Sequence, residues 1–124
     1  MISVKDLNRI CIYGAPVCFV TNLNNHWIGI WVTNSLIEVY DGLGENSGLM
    51  KNESFVNFLC NNLINRNMKY TRQIQSLDSV LCGHLCVVCL TMRSANNSFD
   101  QINDVFSETF NNNDDLISNA FHQL

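Results

Sequence analysis

The sequence predicts an α+β fold, a central antiparallel sheet with packed helices. Three observations point there. Short β-branched and aromatic runs joined by tight polar turns fill residues 17–40. Apolar residues recur close to a 3.6-residue period over residues 53–65, and a long apolar run follows Cys82 after a polar loop. With 124 residues, 47% of them apolar, the chain suits one core and a single domain over residues 1–124.

The elements follow in order. Ser3 is a helix-capping residue, and Val4, Leu7, Ile10 and Cys11 continue at helical spacing, so residues 3–11 are expected to form a short amphipathic helix that Gly14 to Pro16 end. Residues 17–20 read as a first strand, 22–25 as a turn, 26–32 as a second strand and 36–40 as a third, together an antiparallel meander. Asp41-Gly42-Leu43-Gly44 closes it with a glycine-rich turn. After a polar link at 46–51, the stripe of Phe55, Phe58, Leu59, Leu63 and Ile64 defines a helix, and residues 68–74 alternate as a fourth strand. A helix opens at Cys82. Asn96 to Ser98 break the chain, residues 99–110 give a helix, Asn111 to Asn113 a second break, and residues 114–121 a short final helix.

Composition narrows the function. A net charge of −4 and a pI near 5.1 leave no basic face for an obligatory nucleic-acid partner. The loose group of Arg66, Lys69 and Arg72 reads as ordinary solvated surface. No apolar run reaches bilayer length and the first six residues lack a secretory profile, so an intracellular protein without a membrane partner is expected. Of six cysteines, Cys82, Cys86 and Cys89 stand at i, i+4 and i+7 in one apolar run. That spacing shares a helix face and suits reduced thiols better than a disulfide framework. The same three with His84 make a zinc site the rival, yet no second Cys pair accompanies them, so neither metal nor cofactor is expected.

A cysteine at the first turn of a helix meets unpaired N–H groups and the positive end of the helix dipole, and both favour a thiolate. Any one such cysteine is more often a small buried hydrophobe. What distinguishes Cys82 lies upstream. A cysteine nucleophile needs a base, a group that orients the base, and donors for an oxyanion. Of the three histidines, His84 lies two residues past Cys82 on the same helix and His122 sits in the last residues. His26 opens a strand directly after a loop, with Trp27 on the opposite face. Asp41 closes the adjacent strand, nearly as far from the intervening turn as His26, so the two side chains could meet across the ladder. Gln75, seven residues before Cys82, leaves the fourth strand where the loop turns toward the thiol; its amide and the Cys82 N–H are the candidate oxyanion donors, with Gln73 the alternative. Taken singly, His26 is an ordinary boundary histidine and Asp41 an ordinary turn aspartate.

The order His26-Trp27, Asp41, Gln75 and Cys82-Gly83 opening an apolar helix resembles the adenain-type cysteine proteases and the related ubiquitin-like-protein proteases. The resemblance covers about residues 1–92, a minimal catalytic core, with residues 99–122 as a helical C-terminal segment. It implies a papain-like fold of this type with the nucleophile at a helix N-terminus, a Cys82–His26–Asp41 triad, a Gln75 oxyanion donor, and Trp27 and Gly83 at the substrate. The seven-residue step from Gln75 to Cys82 is closer to the adenain branch of DNA viruses and virus-like transposons; the deconjugating branch usually has Asp where Leu81 stands. The resemblance implies an endopeptidase cleaving structural precursor or capsid proteins at glycine-containing sites, in the host nucleus, the cytoplasm or the virion. An activating peptide is left open, and the acidic chain speaks against carrying over activation by DNA. The alternatives are a deconjugase of ubiquitin-like proteins and a catalytically silent binding module of the same fold.

Overall fold

The computed structural model describes residues 1–124. In chain order the elements are α1 (Val4–Leu7), β1 (Val17–Leu23), β2 (His26–Val32), β3 (Leu36–Tyr40), α2 (Glu53–Asn62), β4 (Asn67–Tyr70), α3 (Cys82–Ser94), α4 (Phe99–Val105) and α5 (Phe110–His122), with two short 3₁₀ turns between β3 and α2. The fold is α+β.

The meander forms as the turn chemistry suggests. Asn24 and Asn25 both take positive φ, the requirement of a two-residue hairpin that follows the strand twist, and β1 pairs with β2 from Leu23–His26 to Val17–Val32. β2 then pairs antiparallel with β3. The fourth strand corrects the expectation of an antiparallel sheet: β4 lies at the edge beside β3 and runs parallel to it. Its physical reason is the connection. Between β3 and β4 the chain passes through α2, and a helical crossover returns a strand in the direction it left.

Strand parity sorts the core into two layers. Ile28, Ile30, Val32, Ile37 and Val39 pack with Phe55, Phe58 and Leu59 of α2 and Leu7 of α1, whereas Trp31 and Tyr40 face Leu85, Val88 and Cys89 of α3, Phe99 and Ile102 of α4 and Ile117 of α5. The sheet lies between these layers, and each fully buried Ile or Phe contributes about 1.5–3 kcal/mol. α3 packs over Gly29 of β2, where a Cβ would make ordinary contact with Leu90 at 3.4 Å and Cys86 at 3.5 Å. Its far end is fixed by Arg93, which holds the buried Glu38 carboxylate at 3.0 Å and lies over the Trp31 ring at 5.0 Å; Tyr40 adds its hydroxyl to Glu38 at 2.7 Å.

Several boundaries move for identifiable reasons. The first helix is one turn, because the Asn62 side chain accepts from the Ile12 N–H at 2.7 Å and donates to the Ile10 carbonyl at 2.8 Å, holding residues 10–12 out of helix. α2 stops at Asn62, and Asn65 takes positive φ. β4 ends at Tyr70 rather than 74, since the next residues follow the 41–44 turn: the N–H groups of Ile74 and Gln75 both donate to the Gly42 carbonyl. α4 ends at Val105, and Asn111 to Asn113 are no break but the first turns of α5. There Asn113 is buried and bonds to Ser107 and to the Ile74 carbonyl, so tertiary partners overrode its turn preference.

Candidate active site

Strand directions gather the candidate residues at one end of the sheet. β2 begins there with His26, β3 and β4 end there, and the chain returns from β4 through Gln75 to open α3 at Cys82. His26 Nε2 donates to Asp41 Oδ1 at 2.6 Å. Against the expected cross-strand pairing there is one refinement. The register pairs Gly29 with Tyr40, so position 41 continues opposite Ile28, and His26 reaches Asp41 diagonally.

Asp41 is completely buried and its carboxylate is saturated with donors. Oδ1 also accepts the Leu43 N–H at 3.1 Å, and Oδ2 accepts the Ser47 hydroxyl at 2.5 Å and the Tyr70 hydroxyl. Thr71 Oγ1 pins the backbone, accepting from the Asp41 N–H at 2.8 Å and donating to its carbonyl at 2.6 Å. Burial first, then Asp41, push the Tyr70 phenol well up, so it remains a donor. Four donors on one carboxylate fix its orientation.

With Nε2 on Asp41, the other ring nitrogen is left for sulfur, and the Cys82 and His26 side chains are close enough for each to shift the other's pKa. Cys82 opens α3 and is partly exposed, while the His26 side chain retains 13% of its exposure. The bond with His26 lowers the thiol below its usual 9.0; burial opposes this, and the backbone N–H groups of Trp27 and Gly83 and the imidazolium charge assist it. For His26, burial works against the charged ring, yet the bonds to Asp41 and Cys82 and their charges prevail and raise it from 6.5 to about 9. The two shifts, thiol down and imidazole up, both favour the thiolate–imidazolium form of the pair. Cys86 and Cys89 on the same helix behave oppositely, burial pushing Cys89 up to about 12 and Cys86 up as well.

Trp27 and Gly83 touch. A Cβ on Gly83 would lie 3.4 Å from the Trp27 ring, in ordinary contact, so the indole lies over the helix start. Cys82 N–H, at the first position of α3, has no acceptor within the protein. Gln75 is fully buried, and its amide is engaged: Nε2 donates to Ser79 Oγ at 3.2 Å and Asp114 Oδ1 at 3.1 Å, while Oε1 meets no donor. Gln73 is spent on structure, bonding to the Gln75 carbonyl and Asn46. His84 packs against Phe121 with ring centres 4.1 Å apart and the rings tilted by 55°, and His122 lies in the last turn of α5.

Ser47, Tyr70, Thr71 and Asp114 join the site without having been singled out in the sequence. No group of three or more His, Cys, Asp or Glu side chains is arranged to hold a metal ion, and no helix is long and apolar enough to cross a membrane. A cleft of about 720 Å³ lies beside the 44–51 turns and shares Tyr70 and Thr71 with the site without including Cys82 or His26. No known protein family, curated protein or solved structure matches this chain.

Proposed function

We propose that the protein is a cysteine endopeptidase of the adenain type, acting on viral or virus-like structural precursor proteins. The observation that carries the reading is the His26–Asp41 hydrogen bond beside Cys82, a partly exposed thiol at a helix N-terminus whose pKa His26 lowers. The thiolate attacks the scissile carbonyl carbon, and the carbonyl electron pair becomes an oxyanion facing the Cys82 N–H and the Gln75 amide. The tetrahedral adduct collapses as the His26 imidazolium gives its proton to the leaving amine. Water then attacks the thioester with His26 as base, releasing the acid and restoring the ion pair. Asp41 holds the ring and balances its charge throughout. Trp27 over Gly83 shapes the approach to the nucleophile.

The test is alkylation by iodoacetamide at pH 6, read cysteine by cysteine by peptide mass spectrometry, followed by a cleavage panel. Cys82 is expected to react ahead of the exposed Cys11, Cys18 and Cys60. Glycine-containing precursor peptides should be cut, and Cys82→Ala should abolish cutting while leaving the circular dichroism spectrum intact. If Cys82 is alkylated no faster than the other exposed thiols, the proposal fails; cleavage of ubiquitin-like fluorogenic substrates instead of the peptides would reassign the substrate class.

A further inference from the structure

A single carboxylate on α5 holds both Gln75 and the loop that leads to the nucleophile. Asp114 Oδ1 accepts from Gln75 Nε2 at 3.1 Å, and Oδ2 accepts from Ser79 Oγ at 2.9 Å. Ser79 Oγ in turn accepts the second Gln75 amide hydrogen at 3.2 Å and the Leu81 N–H at 3.2 Å, one residue before Cys82. A carboxylate can only accept, and the one hydroxyl hydrogen of Ser79 is committed to Asp114. Both groups facing the amide are therefore acceptors.

That arrangement has a chemical consequence. The oxygen and nitrogen ends of a carboxamide are alike in size, so packing around Gly42 and Leu85 does not choose between them; a charged acceptor does. Flipping the amide would set Oε1 against the Asp114 carboxylate and leave that carboxylate without its donor. The amide pays for its orientation with an Oε1 that is buried and unpartnered, a sign that the donor end is what the site requires.

We infer that Asp114 is a positioning residue for the oxyanion site: it keeps the NH₂ end of Gln75 turned toward the 76–81 loop. This rests on the protease reading. When the oxyanion forms, the amide exchanges its longer bond, to Ser79, for the oxyanion and retains the bond to Asp114. Ser79 keeps its bonds to Asp114 and Leu81, so the loop stays in place.

The experiment needs no identified substrate. Acetyl-Gly-Gly-glycinal adds to a thiolate to form a hemithioacetal oxyanion, whereas iodoacetamide displaces iodide and forms none. The aldehyde Kd is read as protection of Cys82 from iodoacetamide at pH 6, in wild type, Asp114→Ala, Asp114→Asn, Gln75→Ala and the Gln75→Ala/Asp114→Ala double variant. Asp114→Ala is expected to weaken aldehyde binding roughly 10- to 100-fold, far more than it slows alkylation. Asp114→Asn, which still offers an acceptor oxygen, should fall between. In the Gln75→Ala background Asp114→Ala should weaken binding no further. An unchanged Kd in Asp114→Ala, a loss that persists in full without Gln75, a parallel loss of alkylation, or a wild type that the aldehyde does not protect overturns the inference. Slow alkylation of wild-type Cys82 at pH 6 is the separate result that removes the protease reading, and the inference with it.

Discussion

Asp41→Asn isolates the charge of the acid from its shape. An asparagine fits the same buried position, and turning its oxygen to His26 and Leu43 leaves its NH₂ facing the Ser47 and Tyr70 hydroxyls, which can accept as well as donate. Folding should survive. The imidazolium should not be retained to the same pH: lifting His26 from 6.5 to about 9 is worth roughly 3 kcal/mol at about 1.4 kcal/mol per tenfold, gained against a burial penalty that remains when the carboxylate is gone. The sign follows. The reactive ion pair exists above the depressed Cys82 pKa and below that of His26, near 9. Removing the Asp41 charge lowers the upper edge by about one pH unit or more, and raises the lower edge because the thiolate loses its cation. Two measurements report the edges: the pH dependence of Cys82 alkylation, and an NMR titration of the His26 ring. Loss of the acid in a Ser–His–Asp relay costs about 10⁴ in turnover, much of it through the wrong neutral tautomer. In a thiolate–imidazolium pair both ring nitrogens already carry protons, so a smaller fall, roughly 100-fold, is expected. Alkylation and titration curves that superimpose on those of the wild type would refute the electrostatic argument.

Two structural substitutions test how the site is held. In Gly42→Ala the new Cβ would stand 2.0 Å from Gln75 Oε1 and 2.8 Å from Leu85 Cδ2, both side chains fully buried, so unfolding in urea should show a loss of about 1–3 kcal/mol; an unshifted midpoint would mean that the Gln75 packing is not rigid. Arg93→Met leaves Glu38 buried with only the Tyr40 hydroxyl, and should cost about 3–5 kcal/mol. Adding Glu38→Gln should recover much of that loss, and failure to do so would assign the cost to packing over Trp31 instead of the unpaired charge.

The parts of the site that were legible in the sequence are those fixed by local geometry. Counting outward from the turn at Thr33 to Ser35 brings His26 and Asp41 to the same end of two antiparallel strands, and the polar loop before an apolar run places Cys82 at a helix start. What depended on β4 was not legible. Only when that strand lies parallel beside β3 does Tyr70 come level with the end of β3 and reach Asp41, and only then does Thr71 clamp its backbone. Hydroxyl residues such as Ser47 carry no pattern that announces a long-range partner. The asparagines at 111–113 mislead for a related reason. Their turn preference is weak beside the bonds Asn113 makes to Ser107 and Ile74 once α5 packs, and with α5 begun early Asp114 falls where it can meet Gln75.

Six free thiols share this small chain, and the contrast among three on one helix shows what makes a cysteine reactive. Cys82, Cys86 and Cys89 follow one another along α3, yet burial raises the latter two while Cys82 is lowered. Membership of the helix is therefore not the cause. Cys82 differs in standing at the first position, where N–H groups of Trp27 and Gly83 reach its sulfur, and in having an imidazole whose far nitrogen is tied to a carboxylate that three further groups hold. The buried pair packs the helix onto the sheet, with Cys86 against Gly29, and Arg93 anchors its other end. Under the proposed reading the two kinds of cysteine serve one end: the buried pair keeps α3 from shifting, and a nucleophile at its tip is useful only if it does not shift relative to His26.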